Sequence, residues 1–533
     1  MTFPARFAQG AALAFVLLLA AAPSFSQNVL TYHNNNARTG LNAAETILTQ
    51  SNVNVSTFGK LFVVTVDGLV DAEPLYLSAV PVNGSTHNVL IVATENDSMY
   101  AFDADHGTQL WHMSALEAGE TPSDDRGCSQ VTPTIGITST PGISRPSGSN
   151  GVIYTVAMSK DSSGNYHQRL HALDATTGNE LYKGPVEITG QYPGTGDNSS
   201  GGYVIFDPAQ YEERAGILLA DGLVYLSWTS HCDYRPYTGW VMGYNPRTLA
   251  QETVINVTPN ANEGSIWGSG AGPAADDAGN IFFLDANGVF DATLNSSGFP
   301  SQGDYGNAFV RLTTKGGLAV ADYFEMYNGQ QESDDDVDLG SGGAILLPTV
   351  KDASGNSWEL AAGAGKDGNL YVVNRNSMGK FNPNSNSNYQ TLSGVLPGGI
   401  WSMPAFFDGR LYFGPEGSPI YAFQFKNAML KTSSVAQTAT TFEYPGATPG
   451  ISSNGGQNPI VWAAENTNPA VLHAYNALTL RELYNSNQAA NGRDQFGAGN
   501  KFITPMIING KVYVGTTTGV GVFGLLSPKG KSK

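Results

Sequence analysis

A short strand that ends in a turn recurs along this sequence, and this repeat constrains the fold more than any other feature. The strand has about four residues, with apolar or aromatic side chains, and its last residue is often Asp or Asn. Units of fixed order that recur at 48 to 71 residues predict repeated supersecondary modules with insertions in their loops. The clear copies are residues 100–103, 171–174, 421–424 and 473–476, and the weaker copies are 242–245, 309–312, 371–374 and 521–524.

A second, almost continuously apolar strand precedes the copies, for example at residues 89–93, 152–156, 223–226, 281–284 and 511–514. A strand that packs between two neighbouring sheets needs apolar side chains on both faces. Segments rich in small residues stand before several of these strands, as expected near a crowded central axis. We therefore predict an all-β fold, an eight-bladed β-propeller of four-stranded blades. One alternative is a ring of seven blades, because the copy at 309–312 is weak. The other is a set of ordinary hairpins in stacked sandwiches.

The two ends of the predicted propeller must meet if the ring is closed. The last copy supplies three strands at most before the chain ends, and residues 58–66 read as a lone strand before the first copy. We predict that this lone strand is the outer strand of the last blade, because that pairing removes an exposed edge. Trp111, Tyr182 and Tyr484 follow turns of three copies and are predicted to dock on the adjacent blade.

The chain is predicted to divide into four segments. Residues 1–26 hold an Arg, a 12-residue apolar run and a small-residue cleavage site, which is typical of a secretory signal peptide. Residues 27–57 form an N-terminal extension, 58–526 the propeller, and 527–533 a disordered basic tail. We therefore expect export to the periplasm or the cell exterior; an uncleaved membrane anchor is the alternative for residues 1–26.

A net charge of −18 argues against binding to nucleic acid, because an acidic surface repels phosphate. No later apolar run is long enough to cross a membrane. We expect a monomer whose ligand is a small molecule, a glycan or a protein. The two cysteines, Cys128 and Cys232, are compatible with a disulfide or with two buried thiols.

The pattern Ala-x-Asp-x-x-Thr-Gly-x-x-x-Trp/Tyr, at residues 172–182 and, with His106 in place of Thr, at 101–111, resembles the repeat of the pyrroloquinoline quinone (PQQ) dehydrogenases. That resemblance implies an eight-bladed propeller with PQQ and Ca²⁺ on its axis. The segments 31–40 and 267–274 are similar to those of exported bacterial proteins with PQQ-like repeats and no assigned reaction. The sequence departs from the alcohol-oxidising enzymes in having no adjacent cysteines and no Cys-x-x-Cys-His motif for a c-type haem.

Acidic side chains offer one group of candidate site residues. Asp334, Asp336 and Asp338 alternate in the densest carboxylate cluster and are candidate Ca²⁺ ligands, although a solvated acidic loop is the alternative. Asp338 is also the candidate catalytic acid, because it precedes the small-residue run 340–343. Arg126 is a candidate for binding a carboxylate, or for tying down a loop through a neighbouring Asp.

Aromatic and basic side chains offer a second group. Trp267 and Trp401 begin small-residue segments, where they could stack on a flat ligand such as a quinone or a sugar, or simply pack in the core. Lys366 is a further candidate for cofactor binding, although the Asp-Gly pair that follows it is typical of a hairpin turn. No motif supports hydrolase or nucleotide chemistry. The sequence favours a binding scaffold, with a PQQ- and Ca²⁺-dependent oxidoreductase acting on an alcohol or sugar as the alternative.

Overall fold

A computed structural model describes residues 27–527. The predicted signal peptide and nearly all of the predicted basic tail lie outside the described residues. Within them, no helix has the length and apolar content that crossing a bilayer would require. The regular secondary structure of the described chain is almost all β, as predicted. The exceptions are one short α-helix at Gly329–Asp334 and 3₁₀ turns at Gly268–Gly270, Leu339–Ser341, Ser486–Gln488 and Ala490–Gly492.

The described strands form eight antiparallel sheets of four or more strands, which we number sheet 1 to sheet 8 by the chain order of their first strands. The main strands of sheets 1 to 7 run in chain order from a first strand to an outer strand, and the outer strand of sheet 8 comes from the N-terminal part of the described chain. Sheet 1 is Leu75–Val82, Ser85–Thr94, Ser98–Asp103 and Gln109–Ser114. Sheet 2 is Gly142–Ser144, Val152–Lys160, Tyr166–Asp174 and Val186–Glu187, with Thr121–Asp124 and Thr134–Ile135 added. Sheet 3 is Leu218–Ala220, Leu223–Ser227, Trp240–Tyr244 and Gln251–Asn256. Sheet 4 is Ala274–Ala275, Ile281–Leu284, Phe309–Thr313 and Ala319–Glu325, with Lys380–Phe381 added in parallel.

The other four sheets complete the set. Sheet 5 is Ile345–Leu346, Leu360–Gly363, Leu370–Asn374 and Gln390–Leu392. Sheet 6 is Ala405–Phe407, Arg410–Phe413, Tyr421–Lys426 and Ala436–Gln437, with Met429–Leu430 added. Sheet 7 is Gly450–Asn454, Gln457–Glu465, Val471–Asn476 and Glu482–Asn485, with Leu41–Asn42 added in parallel. Sheet 8 is Met506–Ile508, Lys511–Gly515, Gly519–Leu525 and Phe58–Thr65. Smaller sheets are Gln191–Pro193 with Ser199–Ser200 and Tyr203–Ile205, Tyr211–Glu212 with Thr229–Ser230, and Val350–Lys351 with Ser357–Trp358.

All eight predicted repeat copies are strands, and each lies in a different sheet as its third strand. The weak copy at Phe309–Thr313 pairs on both sides like the others. The prediction for the lone N-terminal strand is also confirmed, since Phe58–Thr65 pairs antiparallel with Gly519–Leu525 of sheet 8.

Buried Trp and Tyr side chains join neighbouring sheets at a repeated position. Trp111 of sheet 1 donates from Nε1 to the Ala175 carbonyl of sheet 2 at 3.1 Å, which confirms its predicted docking. The acceptor directly follows the Asp that ends the repeat copy. In three other turns the residue after the final Asp or Asn accepts from a Tyr on the second strand of a neighbouring sheet. These bonds run from Tyr154 to Pro246 at 2.8 Å, Tyr412 to Ala477 at 2.9 Å and Tyr513 to Ala104 at 3.2 Å.

The predicted dockings of the other two aromatic residues have different outcomes. Tyr484 is fully buried and meets Phe58 of sheet 8 edge-on, with ring centroids 5.0 Å apart. Tyr182, in contrast, is 38% exposed and makes no such contact, so that prediction is wrong. Its backbone φ of 55° shows a turn at this position where the repeat predicts a strand.

The N-terminal extension contains a feature that the sequence did not predict. Residues 29–42, which we call the strap, hydrogen-bond to the first strand of every one of the eight sheets. The first strands of all eight sheets therefore lie around one short segment. The contacts are Val29 with Tyr76, Leu30 with Ile143, Asn36 with Leu219 and Ala275, Ala37 with Leu346, Thr39 with Phe406, Gly40 with Ile451, and Asn42 with Ile507, at 2.7 to 3.1 Å.

Arg38 anchors the strap from a fully buried position. Its Nη1 donates to Thr31 Oγ1 at 2.6 Å and to the Tyr32 carbonyl at 2.8 Å, and its Nε donates to the Pro273 carbonyl at 3.0 Å. Burial lowers the pKa of Arg38 to about 10, so the guanidinium stays charged at neutral pH. Burial raises the pKa of nearby Glu73 to about 8, against the opposing effects of the His33 amide and Arg38.

Candidate functional site

The segments that lead into the first strands converge on one cavity of about 370 Å³, which we call the axial cavity. Each of sheets 3 to 7 contributes a side chain from just before its first strand. Loops of sheets 2 and 3 and the turn of sheet 5 complete the wall. The lead-in residues are Glu212, Arg214, Trp267, Asp336, Asp338, Trp401 and Tyr444, and the others are Cys128, Gln130, Val131, Thr229, Ser230, Cys232, Asp233 and Lys366.

Close contacts between the lead-in segments explain their small residues. Ser269 donates to the Ser341 carbonyl at 2.8 Å, and Ser341 donates to the Ile400 carbonyl at 2.7 Å. A Cβ on Gly343 would collide with the sulfur of Met403. The lead-in segments of sheets 4, 5 and 6 can approach this closely only because these positions are glycine or serine.

A lysine between two aspartates forms one side of the cavity. Lys366 Nζ lies 2.6 Å from Asp336 Oδ1 and 2.8 Å from Asp338 Oδ2. Burial raises the pKa of Asp338 to about 6, although Lys366 opposes the shift. Burial also acts to lower the pKa of Lys366, but Asp338 and Asp336 outweigh it, and the net shift is upward. Lys366 therefore carries its full charge at neutral pH.

Asp338 keeps an unused acceptor. Its side chain is 2% exposed, and its Oδ1 accepts no hydrogen bond from any described residue. The sequence allowed a solvated acidic loop here, and that alternative is wrong for Asp338. The residues before it form the Gly329–Asp334 helix instead, and the chain then turns inward.

Glu212 and Arg214 stand in the lead-in segment of sheet 3. Burial raises the pKa of Glu212 to about 7, with Arg214 opposing the shift. Glu212 Oε1 lies 3.6 Å from Arg214 Nη1 and accepts no hydrogen bond from the described residues. The Arg214 guanidinium packs over the Phe502 ring at 4.4 Å.

Three aromatic side chains line the cavity. Trp401 and Tyr444 meet edge to face, with ring centroids 5.5 Å apart. Trp267 lines the cavity from the lead-in segment of sheet 4, and it is half-buried like the other two. Tyr444 donates to Gln130 Oε1 at 3.0 Å, which fixes its ring against the loop of sheet 2.

The two cysteines form a disulfide, which settles the pairing that the sequence left open. Cys128 and Cys232 have Cα atoms 5.5 Å apart and are separated by 104 positions in the chain. The bond ties the loop before sheet 2 to the loop between the second and third strands of sheet 3. Both cysteines line the cavity, so the disulfide is part of its wall.

The structure brings together five of the seven candidate residues: Trp267, Trp401, Lys366, Asp336 and Asp338. Asp334 lies outside the cavity at the end of the short helix, where it accepts from Gln330 at 2.9 Å. Arg126 is also outside, stacked over Tyr166 at 4.6 Å. Glu212, Arg214 and Tyr444 were missed, although they too stand just before a first strand, which is the signal that could have found them.

The lining does not fit PQQ with a metal ion. PQQ is a polycarboxylate, and both basic side chains of the cavity already face carboxylates. Four carboxylates against two basic groups would repel a further anion. Asp336 and Asp338 hold Lys366, and no group of three or more His, Cys, Asp or Glu side chains among residues 27–527 is placed to bind a metal.

Comparison with known proteins shows the fold. No family model and no curated protein matches the sequence. The quinohemoprotein alcohol dehydrogenase from Comamonas testosteroni is 14% identical, with a TM-score of 0.63 over 95% of this chain and 81% of that chain. One from Pseudomonas putida HK5 is 13% identical, with a TM-score of 0.62 over 95% and 82% of the two chains. A europium-containing methanol dehydrogenase is 12% identical, with a TM-score of 0.62 over 93% and 98%. At these identities the likeness shows the fold alone. The chain has the β-propeller fold that its repeats predict, and it shares this fold with the quinoprotein dehydrogenases.

Proposed function

We propose that this protein is an exported, monomeric ligand-binding propeller that holds a small molecule in its axial cavity. The observation that carries this proposal is the convergence of lead-in segments from sheets 3 to 7 on one cavity. Two buried carboxylate oxygens there, on Asp338 and Glu212, accept no hydrogen bond from the part of the chain that the structure describes. Buried acceptors are normally satisfied, so a ligand that donates to them would gain affinity.

We also propose that the eight sheets are the eight blades of a closed ring. Two contacts support this. The strap touches the first strands of all eight sheets, and Tyr513 of sheet 8 donates to Ala104 of sheet 1. Side chains of sheets 8 and 1 also share one apolar cluster, which includes Val520, Val522 and Leu90. A closed ring gives the cavity rigid walls, which reduces the ordering that a ligand must impose.

The strap determines how the cavity opens. It binds the first strands themselves, whereas the cavity is lined by residues that precede those strands. We infer that the strap closes the axis on the side of the first strands, so that a ligand enters and leaves by a single mouth. This arrangement suits binding of one small ligand better than passage through the ring.

Oxidation of an alcohol with PQQ and Ca²⁺ is the competing function. It is supported by the shared fold with the alcohol and methanol dehydrogenases. It is opposed by the charge of the lining and by the absence of a metal-binding group within residues 27–527. Fold likeness alone does not transfer a reaction, and the charge of the lining supports binding over oxidation.

Binding is tested through the two cavity tryptophans. Intrinsic fluorescence and the thermal midpoint are measured with choline, glucose and PQQ plus Ca²⁺ in separate titrations. We expect one of the first two to shift both signals, since a ligand of the native state raises its stability. Trp267→Leu and Trp401→Leu should abolish the response, whereas Trp358→Leu, at a residue that packs on Tyr389 and not on the cavity, should keep it.

Two results would overturn the proposal. The first is no response to choline or glucose in the wild type. The second is a response to PQQ plus Ca²⁺ accompanied by oxidation of an alcohol. Export and the monomeric state are checked on the secreted protein, by its N-terminal sequence, expected at Gln27, and by its mass in light scattering.

A further inference from the structure

The lining of the axial cavity carries more acidic than basic side chains. Its described lining has four carboxylates, Glu212, Asp233, Asp336 and Asp338, and two basic groups, Arg214 and Lys366. Each basic group already faces a carboxylate, Lys366 at 2.6 and 2.8 Å and Arg214 at 3.6 Å. Four carboxylates against two basic groups leave a net negative charge, and Asp233 has no basic partner within the described lining. The excess is smaller than two charges at neutral pH, because burial raises the pKa of Glu212 to about 7. In a cavity walled by protein this charge acts through a lower dielectric than water, and it attracts cations.

Two of the carboxylates are poised to accept. Asp338 is 2% exposed and Glu212 is 5% exposed, and among residues 27–527 neither Asp338 Oδ1 nor Glu212 Oε1 accepts a hydrogen bond. Glu212 Oε1 also faces Arg214 Nη1 at 3.6 Å, beyond hydrogen-bond distance. They reach the cavity from different sheets, since Asp338 leads into sheet 5 and Glu212 into sheet 3. A ligand between them would meet an acceptor from each lead-in segment.

The aromatic residues of the lining also favour a positively charged ligand. Trp267, Trp401 and Tyr444 line the cavity together with these carboxylates. The faces of indole and phenol rings attract cations, and the attraction strengthens when water is excluded. The Lys501 ammonium already lies 5.8 Å from the Tyr444 ring centroid, which shows one such contact at the rim.

We propose that the axial cavity binds a small organic ammonium ion, held by the carboxylates of Asp338 and Glu212 and the rings of Trp267 and Trp401. This inference rests on the ligand-binding function proposed above and names the class of its ligand. The volume of about 370 Å³ matches a compact amine or quaternary ammonium compound. An anion would have to displace the paired carboxylates, and a neutral sugar would gain nothing from the net charge.

Comparing choline with an uncharged compound of the same shape tests whether the positive charge of the ligand determines its affinity. Choline is titrated by isothermal calorimetry beside its neutral isostere, the dimethylbutanol in which a quaternary carbon replaces the nitrogen. The two probes share size and hydroxyl group, so the ratio of their dissociation constants reports the charge. We expect choline to bind at least about tenfold more tightly, as one desolvated cation–π contact alone would give.

Carboxylate-to-amide variants inside and outside the cavity test which carboxylates attract the ligand. Asp338→Asn and Glu212→Gln should each weaken choline about tenfold and leave the isostere unchanged. Asp334→Asn removes a carboxylate of the same acidic stretch that lies outside the cavity, and it should change neither probe. Circular dichroism and thermal midpoints of each variant report folding, and the two cavity variants serve as substitutes for one another if one fails to fold.

The binding results distinguish a failure of the ammonium inference from a failure of the ligand-binding function. If the isostere binds as tightly as choline, or if both cavity variants bind choline like the wild type, the ammonium inference is wrong. If glucose binds in the cavity and choline does not, the ligand class is wrong while the binding function stands. If neither compound binds, both proposals fail.

Discussion

Replacing Tyr513 by Phe tests whether the last sheet closes on the first. The Tyr513 hydroxyl donates to the Ala104 carbonyl at 3.2 Å, across the boundary between sheet 8 and sheet 1, and the side chain is fully buried. Its loss leaves a buried carbonyl without a donor, which costs about 1 to 2 kcal/mol. Tyr412→Phe removes the same type of bond, at 2.9 Å to Ala477, between sheets 6 and 7.

The two variants should therefore behave alike. The unfolding entropy of about 2.1 cal/mol/K per residue gives about 1 kcal/mol/K for this chain of 533 residues. Each variant should then lower the midpoint by about 1 to 2 °C in scanning calorimetry. Tyr182→Phe alters an exposed hydroxyl without a protein partner and should stay within about 0.5 kcal/mol of the wild type.

A difference between the two variants would refute the contact between sheets 8 and 1. If Tyr412→Phe is destabilised and Tyr513→Phe resembles the exposed control, then sheets 8 and 1 do not meet as the structure shows. The stack of sheets would be open, and the cavity would lack a rigid wall. A loss of stability in both variants, of similar size, agrees with a ring in which sheet 8 meets sheet 1 as sheet 6 meets sheet 7.

Three further substitutions test the strap, the disulfide and a buried acid. Arg38→Met leaves three acceptors unpaired and should cost about 3 to 5 kcal/mol, which lowers the midpoint by about 3 to 5 °C in calorimetry. The exposed Arg247→Met should have no measurable effect. Cys128→Ser with Cys232→Ser opens a loop of 104 positions and should cost up to about 4.7 kcal/mol; an unchanged midpoint would show that the bond adds no constraint. Because burial raises the pKa of Glu73 from 4.5 to about 8, the folded protein holds a proton that the unfolded chain releases, and stability falls as pH rises between roughly 5 and 8. Glu73→Gln should make that fall smaller in midpoints measured across this range, and an identical pH profile would contradict the assignment.

The strands and turns of the fold were predictable because their signals are local. The third strand of each sheet is readable in four residues, and the Asp or Asn at its end marks a turn. Trp111 was predictable as a docking residue because its distance from that turn is fixed in the repeat. Tyr182 shares the pattern and does not dock, since its backbone leaves the strand before the ring can reach the next sheet.

The strap could not be predicted by the same reasoning. Its contacts reach from residue 29 to Tyr76 and from Asn42 to Ile507, so they depend on the arrangement of whole sheets. Its sequence shows neither alternation nor helical periodicity. Only its polar and small residues hinted at a segment whose backbone is used for contacts.

The candidate site was predictable in part. Trp267, Trp401 and Asp338 were found because they border small-residue segments near the axis. Glu212 and Tyr444 were missed, although each stands just before a first strand and Tyr444 precedes the Pro- and Gly-rich segment 445–450. The pairing of Cys128 with Cys232 likewise depends on a Cα separation that no sequence displays.

A zero-length carbodiimide cross-link tests ring closure most directly. Lys511 Nζ of sheet 8 lies 2.6 Å from Asp105 Oδ1 of sheet 1, although the two residues are 406 positions apart. Lys160 and Asp124, 2.7 Å apart within sheet 2, are the internal control. Mass spectrometry of the monomeric fraction should find both cross-linked peptide pairs. Finding the control pair alone, or the Lys511–Asp105 pair only in dimers, would contradict the closed ring.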